Sequence, residues 1–258
     1  MGKTGGFNWV DLMSTDAVGS KKFYAKLFDW TATDMSTPDG SVYVLLSHDG
    51  DLVAGLGEHS SEMIERGMPS VWASYVTVDD VAASVAKVEG LGGTVVWPEM
   101  EIPGSGTMAV INDPTGATVA MWQDGGHTGA DKFNTPNSLT WNELLTRDPS
   151  AAIDFYAAMF GWSFEPMDGA EPDYNIIMND GALNGGVMDA SSVLPDGVPN
   201  MWGVYFSVSD ADATAEAAVA AGGSIVREPI DTPGVGRIVI IADPQGAVFS
   251  AIVSVPQE

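Results

Sequence analysis

WVDLMSTDAVGSKKFYAKLFDW (Trp9–Trp30) and WNELLTRDPSAAIDFYAAMFGW (Trp141–Trp162) decide the architecture. Their Trp, Leu, Asp, Phe-Tyr, Phe and Trp recur in register, 132 positions apart (141 − 9). A second block, PSVWASYVTVDDVAASV from Pro69, returns as PNMWGVYFSVSDADATA from Pro199, now 130 apart (199 − 69). A third, PGSGTMAVINDPTGA from Pro103, returns as PGVGRIVIIADPQGA from Pro233. Repetition on this scale is a tandem duplication. Its seam is HTGADKFNTPNS (127–138), rich in Gly, Thr, Asn and Pro. The expected domains are therefore 1–128 and 134–258.

Working outward, FNWVDLMS is expected as a strand, and Asp16 as the cap of a helix AVGSKKFYAKLF. SVYVLLS and DLVAGLG form a hairpin about His48-Asp49-Gly50. VWASYVTV is a further strand, and Asp79 or Asp80 caps the helix VAASVAKVEG, which ends in a Gly cluster. TVVW, GTMAVIN and ATVAMWQ close the half as strands, the last two joined by the turn Asp113-Pro114-Thr115-Gly116. Each half thus reads as two strand–helix–strands units. The fold class is α+β, with four βαβββ units forming concave mixed sheets.

Composition limits the partners. Ten Lys and Arg against 35 Asp and Glu give a formal charge of −25 over 258 residues. Such a chain has no basic footprint for nucleic acid or an anionic membrane surface. Cysteine is absent, which removes disulfides, thiolate nucleophiles and iron–sulfur clusters. No apolar run reaches a membrane span and no signal peptide is evident, so the expected location is cytoplasmic.

The order and spacing of these motifs resemble the vicinal oxygen chelate superfamily of glyoxalases, bleomycin-resistance proteins and extradiol dioxygenases. The carrying residues are Asp16, Phe23-Tyr24, Phe28 and Trp30, their copies Asp148, Phe155-Tyr156, Phe160-Gly161-Trp162, and the Asp-Pro-x-Gly turns at 113–116 and 243–246. The resemblance implies a divalent metal held by His, Gln or Glu at fixed strand positions. Here those slots carry Trp9, Ala73, Ala120, Trp141, Gly203 and Ser250, with a further pair near Gly55 and Gly185. Trp, Ala and Gly offer no lone pair to a metal, and Ser is a poor ligand. The expectation is operation without a cofactor, with the alternative of a divalent metal held by ligands other than the family's. His48, His59 and His127 fall in turns and loops and are read as solvated.

Strand side chains alternate faces. If Trp9 faces the concave side, so does Asp11. In the copy Trp141 and Glu143 do, and in the later strands Tyr75 and Tyr205. Trp9, Tyr75, Trp141 and Tyr205 would form an aromatic clamp for a planar or cationic molecule. A carboxylate beside Trp would be desolvated, which makes Asp11 or Glu143 the candidate proton-transfer residue. The alternative is that both acids are structural. Arg237, whose counterpart is Thr107, is either an anchor for an anionic ligand group or a strand-edge salt bridge. Trp72 and Trp202 are expected to pack where the halves meet.

The resemblance thus implies a protein handling a small carbonyl or aromatic molecule, a lyase, isomerase or hydroxylase-like enzyme. The alternative is a non-catalytic binder akin to the drug-sequestering bleomycin-resistance proteins. Internal pairing would let a monomer suffice, with a homodimer as the other arrangement.

Overall fold

The computed structural model describes residues 3–37 and 40–255. The chain folds as four successive βαβββ modules. The first comprises β1 (Phe7–Ser14), α1 (Ala17–Phe28), β2 (Thr31–Ser36), β3 (Val42–His48) and β4 (Asp51–Glu58). A short helix, α2 (Ser61–Glu65), leads to the second: β5 (Val71–Thr77), α3 (Val81–Val88), β6 (Thr94–Ile102), β7 (Gly106–Asn112) and β8 (Thr118–Asp124). The third has β9 (Leu139–Thr146), α4 (Pro149–Phe160), β10 (Ser163–Pro166), β11 (Tyr174–Asn179) and β12 (Ala182–Asp189). The fourth has β13 (Met201–Ser207), α5 (Ala211–Ala220), β14 (Ser224–Thr232), β15 (Gly236–Ala242) and β16 (Val248–Ser254). This is the expected α+β tandem of mixed sheets.

The local reasons are visible. Asp16, Asp80, Asp148 and Asp210 each cap a helix by accepting a backbone N–H three residues on. The β3–β4 hairpin turns on Asp49 and Gly50, both at positive φ (54° and 91°), the pairing a tight two-residue hairpin needs. Asp180 and Gly181 repeat it (51° and 76°). The strand β2 escapes a sequence reading because every one of its residues is exposed, so no apolar period marks it.

Packing groups the modules into two compact units, each drawing on both halves of the chain. Unit 1 is Met1–Asn8, Ala73–Gly129 and Trp141–Gly203; unit 2 is Trp9–Trp72, Ala130–Thr140 and Val204–Glu258. The boundaries 1–128 and 134–258 divide the sequence by its repeat, whereas compactness joins the second module to the third and the first to the fourth.

In unit 2 the strand orders are β2-β3-β4-β1 and β13-β16-β15-β14. The pairs β1–β4 and β13–β16 are parallel and the rest antiparallel. Its core gathers Val10, Leu12, Phe23, Tyr24 and Phe28 with Val204, Phe206, Ile241 and Phe249. In unit 1 the orders are β10-β11-β12-β9 and β5-β8-β7-β6, and the core gathers Val76, Ile111 and Met121 with Leu144, Phe155, Tyr156 and Trp162.

The Gly clusters serve these cores. A Cβ on Gly223 would lie 2.9 Å from the Phe23 ring, and one on Gly93 would lie 2.8 Å from the Phe155 ring. Glycine there lets the Phe of the Phe-Tyr motif press against backbone.

Candidate functional site

Strand β1 sends Val10 and Leu12 into the unit 2 core and turns Trp9 and Asp11 to the opposite face. Both are nevertheless buried, each 4% exposed. Asp11 stands opposite Gly55 on the parallel strand β4. From β3, Tyr43 reaches diagonally over β4 and lays its hydroxyl on Gly55. A Cβ at Gly55 would lie 1.9 Å from Tyr43 Oη and 3.0 Å from Asp11 Cβ. The Trp9 indole N–H donates to Tyr43 Oη at 3.1 Å, and the Tyr43 hydroxyl donates to Asp11 Oδ2 at 3.2 Å.

Unit 1 repeats the arrangement. Trp141 Nε1 donates to Tyr174 Oη at 2.8 Å, and Tyr174 is hydrogen-bonded to Glu143. Glu143 stands opposite Gly186 on β12, and a Cβ on Gly186 would lie 1.8 Å from Tyr174 Oη. The equivalent of Gly55 is thus Gly186, one residue on from the expected Gly185, whose own Cβ would meet the Asn142 carbonyl at 2.6 Å. Trp9 therefore shares a face with Asp11, and Trp141 with Glu143, as strand alternation predicts, while Tyr43 and Tyr174 were not among the expected site residues. SVYVLLSHDG and PDYNIIMNDG put both tyrosines at matching places before an Asp-Gly turn, which marks them as a repeated pair but not their reach over a glycine on the next strand.

Electrostatics keep these tyrosines protonated. Burial raises Tyr43 well above the ordinary phenol value, and the neighbouring Asp11 charge raises it further. Tyr174 is raised the same way, first by burial and then by Glu143. Each hydroxyl therefore acts as a fixed donor to a carboxylate.

A second pair of Trp–Tyr–Asp chains lies in the cores. In unit 2, Trp72 Nε1 donates to Tyr24 Oη at 3.0 Å, and Tyr24 donates to Asp243 Oδ2 at 3.2 Å. The other oxygen of Asp243 accepts the backbone N–H groups of Gln245 (2.9 Å) and Ala247 (2.8 Å), which closes the Asp-Pro-x-Gly turn. In unit 1, Trp202 donates to Tyr156 at 2.8 Å, beside Asp113. Trp72 and Trp202, read as packing residues, thus anchor the motif tyrosines by polar contact as well.

The remaining expected site residues fall as follows. Tyr75 is buried in unit 1 opposite Ala120, with its ring 6.5 Å from that of Trp122. Tyr205 is buried in unit 2 opposite Ser250. Arg237 pairs with Asp212 through Nε and Nη2 and with Asp231 through Nη1, at distances from 2.5 to 3.1 Å. That is the strand-edge salt bridge, one of its two readings. His59 departs from the expectation of a solvated loop residue: it is 5% exposed, with Nε2 2.9 Å from the Pro69 carbonyl oxygen. Its backbone N–H donates to the Ser14 carbonyl at 2.8 Å, continuing the β4–β1 pairing by one residue.

The residues at the ligand slots do not suit the divalent metal that the resemblance implies. The Trp9 and Trp141 nitrogens are donors spent on tyrosines. Ala73, Ala120 and Gly203 have no donor atoms, and the Ser250 hydroxyl is a weak ligand. Among the described residues no group of three or more His, Asp or Glu could hold a metal ion. A cavity of about 190 Å³ in unit 1, beside Asp79, Asp80, Lys87 and Phe160, shares no residue with the relays.

Fold and repeat together define a tandem βαβββ protein, and the chain belongs to the glyoxalase/bleomycin resistance protein/dioxygenase superfamily, which it matches over residues 6–121 and 138–250. It is 45% identical over 253 residues to "Putative glyoxylase CFP32" of Mycobacterium tuberculosis, covering 97% of this chain and 95% of that protein. It is 38% identical over 259 residues to the anthracycline biosynthesis protein DnrV of Streptomyces peucetius, covering 95% and 91%. In fold it is similar to the Mn(II)-bound glyoxalase of Novosphingobium aromaticivorans (TM-score 0.63, 15% identity, 99% of this chain and 85% of that one). It is likewise similar to the 2,3-dioxygenase LapB of Pseudomonas sp. KL28 (TM-score 0.65, 12% identity, 99% and 96%). Among the described residues no helix is long and apolar enough to cross a membrane.

Proposed function

We propose that the chain handles a small carbonyl or aromatic molecule on the aromatic faces built by Trp9 and Tyr43 in unit 2 and by Trp141 and Tyr174 in unit 1, without the superfamily's metal. The observation that carries this is the doubled Trp–Tyr–carboxylate relay beside the slots where a metal ligand is expected. Indole and phenol faces attract planar rings by stacking. The anthracycline biosynthesis relatives support a polycyclic aromatic ligand, and the relative named for glyoxylase supports a small carbonyl one. In the enzymatic form of this reading Asp11 and Glu143 are the proton-transfer residues. Tyr75, Tyr205 and Arg237 are secondary: the tyrosines extend the aromatic surface of their units, and Arg237 serves an anionic group only if the ligand displaces Asp212.

A second reading, binding without turnover, is favoured by the tyrosine hydroxyls being bonded to the carboxylates and held protonated. Quenching of tryptophan fluorescence by a panel of planar aromatics and small dicarbonyls tests both. Saturable quenching that Asp11→Asn and Glu143→Gln leave intact, with no product from any probe, favours the binder. Product formation abolished by those substitutions favours the enzyme. A flat response across the panel removes both. Metal analysis of the purified chain tests the metal-free part, and stoichiometric zinc, nickel, manganese or iron overturns it.

A further inference from the structure

The four modules follow one plan, so the plan alone does not dictate which module pairs with which. In this chain the first module joins the fourth and the second joins the third. A second copy of the chain presents the same faces. The first module could then pair with the second module of that copy, and the third with its fourth. The two outcomes are separated at positions where the units, although built from copies, differ.

One such pair lies on the core side of the strands. In unit 1 the Ser74 hydroxyl on β5 donates to Asn142 Oδ1 on β9 at 2.7 Å, and both residues are buried. The repeat puts Val204 at the place of Ser74 (74 + 130) and Val10 at the place of Asn142 (142 − 132). These valines are fully buried in the one core of unit 2. Polar therefore meets polar in unit 1, and apolar meets apolar in unit 2. Pairing each half with its own copy breaks both matches. Ser74 would face Val10, and Asn142 would face Val204.

A second pair repeats the logic with the units reversed. In unit 2 the buried Ser20 of α1 donates to Gln245 Oε1, in the closing turn of the fourth module, at 3.1 Å. The copies in unit 1 are Ala152, also buried, and Thr115, whose hydroxyl donates to Asp113 of its own turn at 2.7 Å. Like-with-like pairing would bring Gln245 to the methyl of Ala152, and Ser20 to a hydroxyl already donated elsewhere. A buried polar side chain without its partner is strongly disfavoured, whereas a hydrogen-bonded pair and a pair of valines are both tolerated. Selectivity is the difference between the two pairings, and mismatches contribute to it as much as matches do.

We propose that Ser74–Asn142 and Ser20–Gln245 make the core face of each half fit the other half of the same chain and reject like-with-like pairing with a second copy. The connection between the halves adds to this by holding them at an effective concentration above that of separate chains.

Transposing the first pair tests the inference. Val10→Asn/Asn142→Val leaves the composition of the chain unchanged. It mismatches both units of the single chain and makes each half match its own copy. Adding Ser74→Val/Val204→Ser moves the whole polar pair from unit 1 to unit 2 and matches the halves to each other again. Each full chain is unfolded in urea, refolded at a series of protein concentrations and sized by light scattering. The natural chain and the four-residue form are expected to refold to the monomer mass. The two-residue form is expected to give a dimer that grows with concentration. Its dimer-to-monomer ratio should rise about tenfold for each buried polar side chain left without its partner. A two-residue form that stays monomeric overturns the inference, as does a natural chain that refolds to a dimer. A four-residue form that assembles as the two-residue form does overturns it too, because that outcome marks damaged packing and not partner choice. Where the two-residue form precipitates, the four-residue form decides: a soluble monomer supports the inference, and precipitation overturns it.

Discussion

The hydroxyl of Tyr24 donates to Asp243 across 219 residues of chain, at 3.2 Å, and accepts the indole N–H of Trp72 on its other side. Tyr24 lies in the first module and Asp243 in the fourth, so their bond ties together the two parts of unit 2, while Trp72 joins them from the start of β5. It also explains why two motifs far apart in sequence travel together in each repeat. The Phe-Tyr of the helix supplies the hydroxyl, and the Asp-Pro-x-Gly turn supplies its acceptor.

Tyr24→Phe is therefore expected to destabilise the protein by about 2–3 kcal/mol, since it strands a buried indole N–H and removes a donor from a carboxylate. Tyr156→Phe is expected to act alike in unit 1, where Trp202 loses its acceptor. Urea denaturation followed by far-ultraviolet circular dichroism measures this. A loss below about 0.5 kcal/mol in both variants would show that the relays do not hold the cores together.

The same pair sets a pH dependence. Burial raises the Asp243 carboxyl above its ordinary value of 3.8, outweighing the backbone N–H groups and the Tyr24 hydroxyl that favour its charge. The folded protein then holds this proton to higher pH than the unfolded chain does. Its contribution to stability is full below the unfolded value and is lost as pH rises through the raised one. Asp243→Asn keeps an oxygen for Gln245 and Ala247 and does not titrate. The stability of the natural chain relative to this variant should fall as pH rises from about 3.8. A difference that stays level or grows would contradict the raised value.

Much of this was legible in the sequence because duplication exposes it. Position-by-position comparison of the halves marks Trp9 with Trp141 and Asp11 with Glu143, and strand alternation then assigns their face. The caps, the hairpin turn and the closing turns carry their own chemistry. Three things were not legible. The joining of first module to fourth is set by contacts such as Phe23 against Gly223, and local periodicity says nothing of partners so distant. Tyr43 and Tyr174 read as ordinary strand residues, because their role comes from a diagonal reach over a glycine on the next strand. The pairing of Arg237 depended on Asp212 and Asp231 lying alongside on α5 and β14, which only the register of β14 on β15 decides.

The lock between Tyr43 and Gly55 can be tested apart from any ligand. Gly55→Ala places a methyl where the hydroxyl stands, so Tyr43 must move and the Trp9–Asp11 link breaks. The expected cost is about 1–3 kcal/mol, typical of overpacking. Tyr43→Phe removes the atom nearest that methyl, so Gly55→Ala should cost less in its presence. A double-mutant cycle reads this coupling, and strict additivity would mean the two residues do not compete for one space.

The charge of −25 can be weighed against these local terms. The relays account for four carboxylates at most (Asp11, Glu143, Asp113 and Asp243) out of 35 Asp and Glu. With ten Lys and Arg to oppose them, most of the remaining acids repel one another. Ion pairs such as Lys21–Asp34 and Arg237–Asp212 lie in exposed positions and would be weakened by salt. The two effects oppose each other, and the imbalance of signs decides between them: repelling pairs far outnumber attracting ones. Raising sodium chloride to about 0.5 M, where the screening length is roughly 4 Å, should therefore raise the urea midpoint. Chloride at that concentration does little else to apolar burial, so replacing it with an equal ionic strength of another weakly interacting salt should reproduce the gain. A midpoint that falls or stays fixed would mean that local pairing, and not surface repulsion, sets the electrostatic contribution to stability.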